Sequence, residues 1–423
     1  MRLVSVRSFV LALSLGGVAA AASGQPANQD APAHSHGNGT AGWTLAADGV
    51  LFATYDRQGG LRGETTFPSQ NWVMAMGIRT LGGGMLTLSG MLSAEPLTVG
   101  LRGYPELFQE GEAYRGLQIT DRQHPHDLFM QLAATWRRSL GDRVGITIAG
   151  GPVGEAALGP VAFMHRLSAS ENPTAPLSHH IFDSTHIVDG VVSVGLDRGP
   201  LGIEGSIFRG REPDEDRYDL DLGALDSWSG RVWFRPGKEW IFQGSYGHLH
   251  EPEQLEPGDQ RRLNASMSWL RPADESHFTA VTAAVGQTVR NFSTVHALLV
   301  EATQQIDRTF VYGRYENLRV ETEILLFPQI VHRPHPGELV DPVRALTVGA
   351  VRDLADIRGF KLGLGGDLVF YDVPELLQFT HGTRIRSGHV FLRVRPPSRG
   401  PRMWDRTMGQ PMADMAHPSH ARP

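Results

Sequence analysis

The 423-residue sequence contains no cysteine, and this absence excludes several classes of protein at once. Disulfide scaffolds, cysteine-ligated zinc, iron–sulfur centres and cysteine nucleophiles all need thiols. Lysine is nearly absent as well, since Lys238 and Lys361 are the only two in the chain. With 39 basic residues against 45 acidic ones, the net charge is -6, which argues against an overall basic surface for nucleic acid.

The sequence also lacks the features of a helical membrane protein. Beyond residue 24, no stretch approaches the roughly 18 uninterrupted apolar residues that a membrane-spanning helix needs. Helical periodicity is hard to find, yet a hydrophobic fraction of 41% and a mean hydropathy of -0.21 are typical of a folded chain. The remaining possibilities are a soluble exported protein and a membrane protein whose apolar residues alternate with polar ones.

Both ends of the chain differ in composition from its middle. Residues 1–24 have the pattern of a secretory signal peptide, in which basic residues precede an apolar run that ends in small residues. Residues 25–42 are rich in Ala, Pro, Gly and Asn and are predicted to be a flexible periplasmic leader. Residues 397–423 form a polar, Met/His-rich tail that is predicted to be disordered in the periplasm. The ordered domain is therefore expected over residues 43–396.

The middle of the chain alternates apolar and polar residues with a period of two. In the clearest segment, 360–370, Phe360 and Phe370 end an apolar face, whereas Lys361 and Asp367 lie on the opposite face. Segments of about ten such residues have the length of tilted strands that cross a bilayer. The pattern predicts sixteen strands: 43–55, 70–80, 84–94, 127–139, 143–152, 185–197, 201–210, 226–235, 238–248, 261–270, 276–286, 292–304, 308–318, 343–354, 357–370 and 386–396.

The connections between these strands alternate in length. Short connections rich in turn-forming residues, such as SLGD and DRGP, follow every second strand, and most of the others are long, with 95–126 and 153–184 the longest. Only the connection near 287–291 breaks this alternation. Outer-membrane barrels have tight periplasmic turns and long extracellular loops, whereas a β-sandwich has no reason to sort its loops this way. We therefore predict an all-β fold, a transmembrane antiparallel up-and-down β-barrel of about sixteen strands.

Aromatic and charged residues fit the two surfaces of such a barrel. Aromatic residues near strand ends are expected at the level of the lipid headgroups: Trp43, Tyr55, Trp72, Trp136, Trp228, Trp240, Trp269, Phe360 and Phe370. Polar-face residues are expected in the lumen, because a basic side chain facing lipid near the midplane costs about 2–4 kcal/mol. The expected luminal residues are Glu204, Arg231, His296, Glu301, Arg314, Glu316, Lys361, Asp367, Arg393 and Arg395.

Most of the 18 histidines fall in the long-loop rim or at its mouth. The two longest loops hold the densest sets, and imidazole and carboxylate groups are normal ligands of zinc, copper, nickel or iron. The candidate metal ligands in these loops are His124, His126, His165, His179, His180, Asp183 and His186. No compact motif such as HExxH is present. The alternative is that these residues only anchor a constriction loop through hydrogen bonds to acidic and backbone groups.

The tail, residues 397–423, contains a second candidate metal site. Four of the 12 methionines lie within thirteen residues of this polar segment. Thioethers and imidazoles are soft ligands that suit copper(I) or silver, and they avoid oxidisable thiols in an oxidising compartment. The candidate ligands are Met403, Met408, Met412, Met415, His417 and His420. The alternative is an incidental tail that merely stays soluble.

Residues 183–186, Asp-Ser-Thr-His, are the nearest approach to a hydrolase site in the long loops. Four adjacent residues rarely place a nucleophile and its base face to face, and the sequence has no G-x-S-x-G elbow. The chain is therefore predicted not to be an enzyme.

Three stretches carry a resemblance to a known family. They are GYPELFQEGEAYRGLQITDRQHPHDLFMQLA, GGPVGEAALGPVAFMHRLSASENPTAPLSHHIFDSTHI and FRGREPDEDRYDLD. Over most of residues 43–396 the chain resembles a family of uncharacterised, porin-like outer-membrane β-barrel proteins of Gram-negative bacteria. The resemblance implies this fold and a location in the bacterial outer membrane, in contact with lipid and lipopolysaccharide. The tail is similar in composition to extensions of copper-resistance outer-membrane proteins.

Together these features predict an outer-membrane channel for small solutes whose long loops fold over or into the lumen. A connection to transition-metal handling is expected, with copper first and with a periplasmic metal-handling protein as a partner. No cofactor is predicted to be required. Two alternatives are a loop-plugged structural or partner-binding barrel and an outer-membrane hydrolase.

Overall fold

A computed structural model of the chain describes residues 42–141, 144–274 and 276–396, without the side chains of 272–274. Within these ranges the chain forms one large antiparallel sheet that closes on itself, and a small hairpin in a loop. None of the described helices is long and apolar enough to cross a membrane.

Sixteen strands form the wall of the barrel. They are β1 (Thr44–Arg57), β3 (Asn71–Leu81), β4 (Gly84–Leu92), β7 (Phe129–Leu140), β8 (Val144–Gly154), β9 (Val188–Arg198), β10 (Leu201–Phe208), β11 (Ser227–Phe234), β12 (Trp240–Leu249), β13 (Gln260–Asp274), β14 (His277–Val289), β15 (Thr294–Ile306), β16 (Thr309–Glu321), β17 (Val340–Ile357), β18 (Phe360–Asp372) and β19 (Arg386–Arg395). The loops contain β2 (Thr65–Thr66), the hairpin strands β5 (Tyr104–Tyr114) and β6 (Leu117–Gln123), the helices α1 (Glu95–Thr98), α2 (His179–Phe182), α3 (Thr322–Leu326) and α4 (Glu375–His381), and 3₁₀ turns at Phe163–His165 and Ser184–His186.

Each wall strand pairs antiparallel with the wall strands that precede and follow it in the chain. The barrel closes between the first strand and the last, where Leu51 pairs with Val394 and Arg57 with Gly388. Closure satisfies the backbone hydrogen bonds that an open sheet edge would expose to lipid. The predicted all-β barrel of sixteen strands is therefore confirmed, with strand ends that differ from the predicted ones by a few residues.

The expected segregation of loop lengths is also confirmed. The short connections gather at one end of the barrel, which we call the short-turn rim; they follow β3, β7, β9, β11, β13, β15 and β17. The opposite end, the long-loop rim, carries the loops 58–70, 93–128, 155–187, 209–226, 250–259, 322–339 and 373–385. The short connection 290–293, after β14, is the exception that the sequence indicated.

The two faces of the wall have the chemistry that a membrane demands. In β17, for example, Leu346 and Val348 are exposed on the outer surface, whereas Ala345 and Thr347, which alternate with them, are buried. Aromatic rings meet on the outer surface at both ends of the strands. The Trp240 and Trp269 rings lie 5.9 Å apart toward the short-turn rim, and the Trp228 and Tyr246 rings lie 5.6 Å apart toward the long-loop rim. Such belts suit the two headgroup layers.

Two side chains lie on the opposite face of the barrel wall from the one that the sequence predicted. Trp72 faces the lumen, where its ring lies 4.9 Å from that of His165. His296 is on the outer surface, because the buried Val295 and Ala297 on either side of it point inward. Both errors have one cause: near the long-loop rim the inner face of the wall packs against a loop, so apolar and aromatic residues belong inside there.

Candidate functional site: a luminal plug and its histidine cage

The loop between β8 and β9, residues 155–187, folds into the barrel, and we call it the plug. From residue 156 to residue 187 no side chain is exposed, and only Met164, Ser170, His180 and Ser184 are half-buried. Surface loops are normally exposed, so burial this complete requires the loop to be enclosed by other parts of the chain. The barrel wall encloses it, through contacts with strands such as β10, β12 and β15.

The first part of the plug is fixed to neighbouring wall strands. The backbone N–H of Ala157 donates to Ser206 Oγ of β10 at 2.8 Å, and that of Gly159 donates to Ser245 Oγ of β12 at 2.8 Å. Between these strands, Arg231 of β11 donates to the carbonyl of Gly159 at 3.1 Å. Luminal polar residues of the wall thus satisfy the backbone of a loop that has left water.

An ion-pair network occupies the middle of the plug. Arg166, of which only 1% is exposed, donates from Nη1 to Asp183 Oδ2 at 2.7 Å and from Nε to Glu301 Oε1 of β15 at 2.6 Å. Ser168 donates to Glu301 Oε1 at 2.9 Å. Burial raises the pKa of Asp183, but Arg166 and His179 lower it by more, so the net shift is downward and the carboxylate stays charged. A buried guanidinium with two carboxylate partners ties the plug to the wall.

The last part of the plug reaches the strands that close the barrel. Arg314 of β16 donates to the carbonyl of Thr174 at 3.1 Å, and Glu316 of the same strand accepts from the backbone N–H of Ser178 at 3.0 Å. Arg393 of β19 is ion-paired with Glu171. The plug therefore crosses the lumen and contacts the inner face of β10–β12, β15, β16 and β19.

An apolar cluster joins the plug to the hairpin β5–β6. Leu107 and Phe108 of the hairpin pack with Ile181 and Phe182 of the plug and with inward residues of the wall such as Leu299. Tyr104 adds a polar contact, since its hydroxyl accepts from the backbone N–H of Ala175 at 2.9 Å. The hairpin and the plug thus form one packed unit at the long-loop side of the barrel.

Open luminal space lies on the other side of the plug. A cavity of about 240 Å³ is lined by residues of β4 and β7–β11, including Arg137, Asp197 and Glu204, and it also touches Glu155 and Ala157 at the start of the plug. Its lining of mixed charge indicates a hydrated space that extends from the short-turn side to the plug.

Five histidines gather where the plug meets the chain that follows the hairpin. We call this group the histidine cage: His124, His126, His179, His180 and His186. Its ring centroids lie 5.3 Å apart for His124 and His180, 5.2 Å for His179 and His186, and 5.5 Å for His126 and His186. Together with Glu112, Glu212 and Arg217, the cage lines a cavity of about 20 Å³, which is room for about one water molecule or ion.

Four of these rings are held at Nδ1 by an oxygen acceptor. Nδ1 lies 3.0 Å from Glu112 Oε1 in His124, 2.9 Å from Glu95 Oε2 in His126, 2.7 Å from Asp183 Oδ1 in His179 and 2.6 Å from the Asp183 carbonyl in His186. An oxygen acceptor at this position favours the tautomer with the proton on Nδ1, so Nε2 carries a lone pair. Within the described part of the chain, the buried Nε2 atoms of His124, His126 and His186 have no hydrogen-bond partner.

The ionisation of the cage follows from its burial. Burial lowers the pKa of His124 and of His186 well below the usual value, and neighbouring imidazoles lower it further. The pKa of His179 is also lowered, because burial outweighs the attraction of Asp183. In His126 burial again lowers the pKa, but Glu95 outweighs it and the net shift is upward. In His180 burial likewise lowers the pKa, but Glu212 outweighs it and the net shift is upward. His124, His179 and His186 are therefore neutral near pH 7, which is the form that binds metals.

His180 belongs to a second group of possible ligands beside the cage. One ligand atom from each of His180, Glu212 and Glu253 lies within 4.8 Å of the other two. Two guanidinium groups stand against the carboxylates, with Arg262 Nη2 3.8 Å from Glu212 and Arg290 Nη2 4.0 Å from Glu253. The pKa of Glu253 is raised to about 7, first by burial and then by Glu212.

The structure separates the sequence-predicted loop residues into three kinds. His124, His126, His179, His180 and His186 come together in the cage. Asp183 lies behind it, since its carboxylate is engaged by Arg166 and His179. His165 lies apart against Trp72, and burial lowers its pKa to about 3. The candidates of the tail, Met403, Met408, Met412, Met415, His417 and His420, lie outside the described residues, as do the signal peptide and the leader through residue 41.

The acidic partners of the histidine cage could not be predicted from the sequence. Glu95, Glu112, Glu212 and Glu253 come from three different loops, and Glu95 lies 31 residues before the histidine it contacts. A single carboxylate in a polar loop carries no local signal of such a contact. Only the density of histidines pointed to this region.

Residues 183–186 do not form a nucleophile and base. Ser184 Oγ accepts from Arg262, and His186 Nδ1 contacts the carbonyl of Asp183 instead of the serine. The carboxylate of Asp183 is hydrogen-bonded to His179 and Arg166. The arrangement required for a serine hydrolase is therefore not present at these residues.

A closed wall of sixteen strands, an apolar outer face and two aromatic belts define a transmembrane β-barrel of the bacterial outer membrane. The resemblance to outer-membrane β-barrel proteins that the sequence indicated is thereby confirmed at the level of the fold. No family model and no curated protein matches the sequence.

Several solved outer-membrane proteins have a similar fold. OmpF of Salmonella typhi, determined in complex with daunomycin, is 10% identical, with 83% of this chain and 97% of that chain covered and a TM-score of 0.46. An anion-selective porin from Comamonas acidovorans is 12% identical, with 84% and 100% covered and a TM-score of 0.46. OmpT of Vibrio cholerae in its trimer form is 7% identical, with 83% and 99% covered and a TM-score of 0.44.

Proposed function

We propose that this protein is an outer-membrane channel for small solutes that is closed in the state described, with the plug as its gate. The observation that carries the proposal is the course of the plug across the lumen. Arg166, near its centre, is paired with Glu301 of the wall, and both side chains are buried. On the short-turn side, the 240 Å³ cavity already brings luminal space up to the plug.

The polar contacts between plug and wall are of a kind that water can replace. They are hydrogen bonds to luminal Ser, Arg and Glu side chains, such as Ser206, Arg314 and Glu316. Exchange of a protein–protein hydrogen bond for bonds to water changes the free energy by only about 0.5–1.5 kcal/mol. Displacement of the plug would open the lumen and expose its polar side chains, such as Ser206, Arg314 and Glu316, to small polar solutes.

Planar-bilayer recordings of a plug-replaced variant test this proposal. Gly154 and Val188 are paired directly across β8 and β9, so a short Gly/Ser turn can replace residues 155–187 without moving either strand. We expect small or rare conductance steps from the wild type and large, stable steps from the variant. As a control, the same turn replaces residues 327–337, the mostly exposed part of another long loop, and this change leaves conductance at the wild-type level.

A permanently plugged barrel that binds a partner through its loops is the second candidate. The buried Arg166 network favours it, because a guanidinium with two carboxylates resists separation once water is excluded. Recordings of the wild type at raised voltage distinguish the two candidates. A gated channel shows brief openings, whereas a permanent plug shows none, although the plug-replaced variant conducts in both cases.

We propose further that the protein handles a transition metal, with copper as the first candidate. The histidine cage supports this proposal on the long-loop side, and the Met/His composition of residues 397–423 supports it on the periplasmic side. Calorimetric titration of the full chain with copper(I) tests the tail. Replacement of Met403, Met408, Met412 and Met415 by Leu is expected to abolish one class of binding site. An unchanged titration would remove the tail from the proposal.

A further inference from the structure

We infer that the histidine cage binds one divalent transition-metal ion through Nε2 of His124, His126, His179 and His186, and that this ion fastens the plug to the hairpin. The inference rests on the metal-handling part of the proposed function and assigns the ligands, while the channel proposal stands independently of it. The ligand class is that of zinc, cobalt, nickel or copper(II), all of which accept imidazole nitrogen.

The hydrogen bonds behind the rings are the first argument. A histidine that binds a metal through one nitrogen usually donates the other N–H to a carboxylate or a carbonyl, which fixes the tautomer and the ring plane. Nδ1 has such an acceptor in His126, His179 and His186, provided by Glu95 and by the carboxylate and carbonyl of Asp183, and in His124 it faces the Pro125 carbonyl at 3.3 Å and Glu112 at 3.0 Å. A constriction loop that needed only anchoring would not require the same ring nitrogen to be engaged in every case.

The opposite ring nitrogens are the second argument. In the described part of the chain, the Nε2 atoms of His124, His126 and His186 are buried without a hydrogen-bond partner. A buried polar atom without a partner is unfavourable, because it has lost its hydrogen bonds to water and gained none. A cation in the shared 20 Å³ cavity would satisfy all of them together, and a cavity of that size takes about one ion or water molecule.

The spacing of the rings is the third argument. Imidazoles that bind one tetrahedral ion through Nε2, at about 2.0–2.1 Å, have ring centroids about 5 Å apart. The His179 and His186 rings are 5.2 Å apart, and the His126 and His186 rings are 5.5 Å apart. His124 is more distant, at 6.2 Å from His179. Among the described residues, no three ligand atoms of these four histidines lie within 4.8 Å of one another, so the rings would have to turn toward the ion as it binds.

The neighbouring group of His180, Glu212 and Glu253 is less suited to a cation, although its ligand atoms are already close. Arg262 and Arg290 stand 3.8 Å and 4.0 Å from these two carboxylates, although Arg290 is also paired with Glu256 and Glu321. A divalent ion there would face two guanidinium groups at short range. The four other cage rings meet only Arg217 among the basic residues that line the same cavity, and Arg217 is itself paired with Glu112 and Asp127.

The four proposed ligands come from two separate segments of the chain, so one bound ion would join these segments. His124 and His126 belong to the segment that follows the hairpin, whereas His179 and His186 belong to the end of the plug. The acceptor behind His179 is Asp183, which also binds Arg166 and through it the wall residue Glu301. An ion held by both segments therefore strengthens the closed arrangement.

Metal titration of the full-length protein in detergent, after treatment with a chelator, tests the inference. With zinc and cobalt(II) as probes, we expect about one ion per chain, and X-ray absorption should show a sphere of imidazole nitrogens. The double variant His126→Ala/His186→Ala should lose this ion. The matched control His165→Ala removes a buried histidine of the same plug and should keep it. Glu95→Gln should weaken binding about 10–100-fold while leaving the ligand set unchanged.

Three outcomes would overturn the inference: no stoichiometric ion in the wild type, an ion that survives the double variant, or an ion lost in Glu212→Gln/Glu253→Gln but not in the double variant. Unchanged electrophoretic mobility of the folded barrel shows that the variants fold.

Conductance distinguishes the metal-site proposal from the channel proposal. If metal binds as expected and the plug-replaced variant does not conduct, the channel fails and the metal site stands. If that variant conducts and no metal binds to the wild type, the metal site fails and the channel stands.

Discussion

The barrel wall and the plug are two parts of one fold, but different interactions hold each of them in place. The wall relies on continuous backbone ladders and on outward apolar residues such as Val348. The plug has no ladder, and besides its apolar packing it depends on single polar contacts such as those of Arg166 with Asp183 and Glu301. The stability of the wall is thus spread over many residues, whereas the plug includes a few buried charges that one substitution can leave unpaired.

The largest effect is expected from Arg166→Met. The substitution keeps the bulk of the side chain but leaves two buried carboxylates without their partner, a loss of about 3–5 kcal/mol in comparable buried pairs. Because the ladders of the wall are untouched, the plug should loosen while the barrel stays folded. Bilayer conductance should rise while electrophoretic mobility of the folded form is unchanged. Wild-type conductance in this variant would mean that the network does not hold the plug.

A charge on the outer face tests how strongly the stability of the wall depends on its contact with lipid. Val348→Arg places a guanidinium on the lipid side near the middle of β17, at an expected cost of about 2–4 kcal/mol. Chemical unfolding in lipid vesicles measures the loss, with Val348→Leu as the matched control. The conductance should stay at the wild-type level, since the plug does not touch this face. A loss of less than about 1 kcal/mol would place Val348 away from the bilayer core.

Two glycines compare backbone strain in the plug and in a wall turn. Gly159 has φ +74°, and a Cβ there would lie 1.8 Å from the carbonyl oxygen of Phe182; Gly199 has φ +57° with open space around it. Gly159→Ala should destabilise the plug by about 1–3 kcal/mol, and Gly199→Ala should cost less because only the dihedral strain applies. The measurement is chemical unfolding together with bilayer conductance. Equal effects would show that the plug backbone has room to shift.

The smallest effect is expected from an exposed ion pair. Arg211 and Glu251 lie 3.0 Å apart, and their side chains are 51% and 45% exposed. Arg211→Ala should change the free energy of unfolding by less than about 1 kcal/mol, and added salt should reduce even this difference. A loss as large as that of Arg166→Met would contradict the contrast between buried and exposed charges.

The wall could be predicted from the sequence because each strand residue faces either lipid or lumen, and the alternation of Leu346, Thr347 and Val348 records that choice. The faces of Trp72 and His296 were predicted wrongly because the plug makes the inner surface apolar beside them. The histidines of the cage were visible by residue type. Their acidic partners and the role of Arg166 were not, because those contacts depend on how distant loops meet inside the barrel.

The central claim is that residues 155–187 close the lumen. Single-channel recording of the wild type beside the variant with a short turn in place of these residues tests it most directly. We predict a closed or rarely opening wild type and a variant with large, stable conductance steps. Equal conductance in the two proteins would contradict the claim.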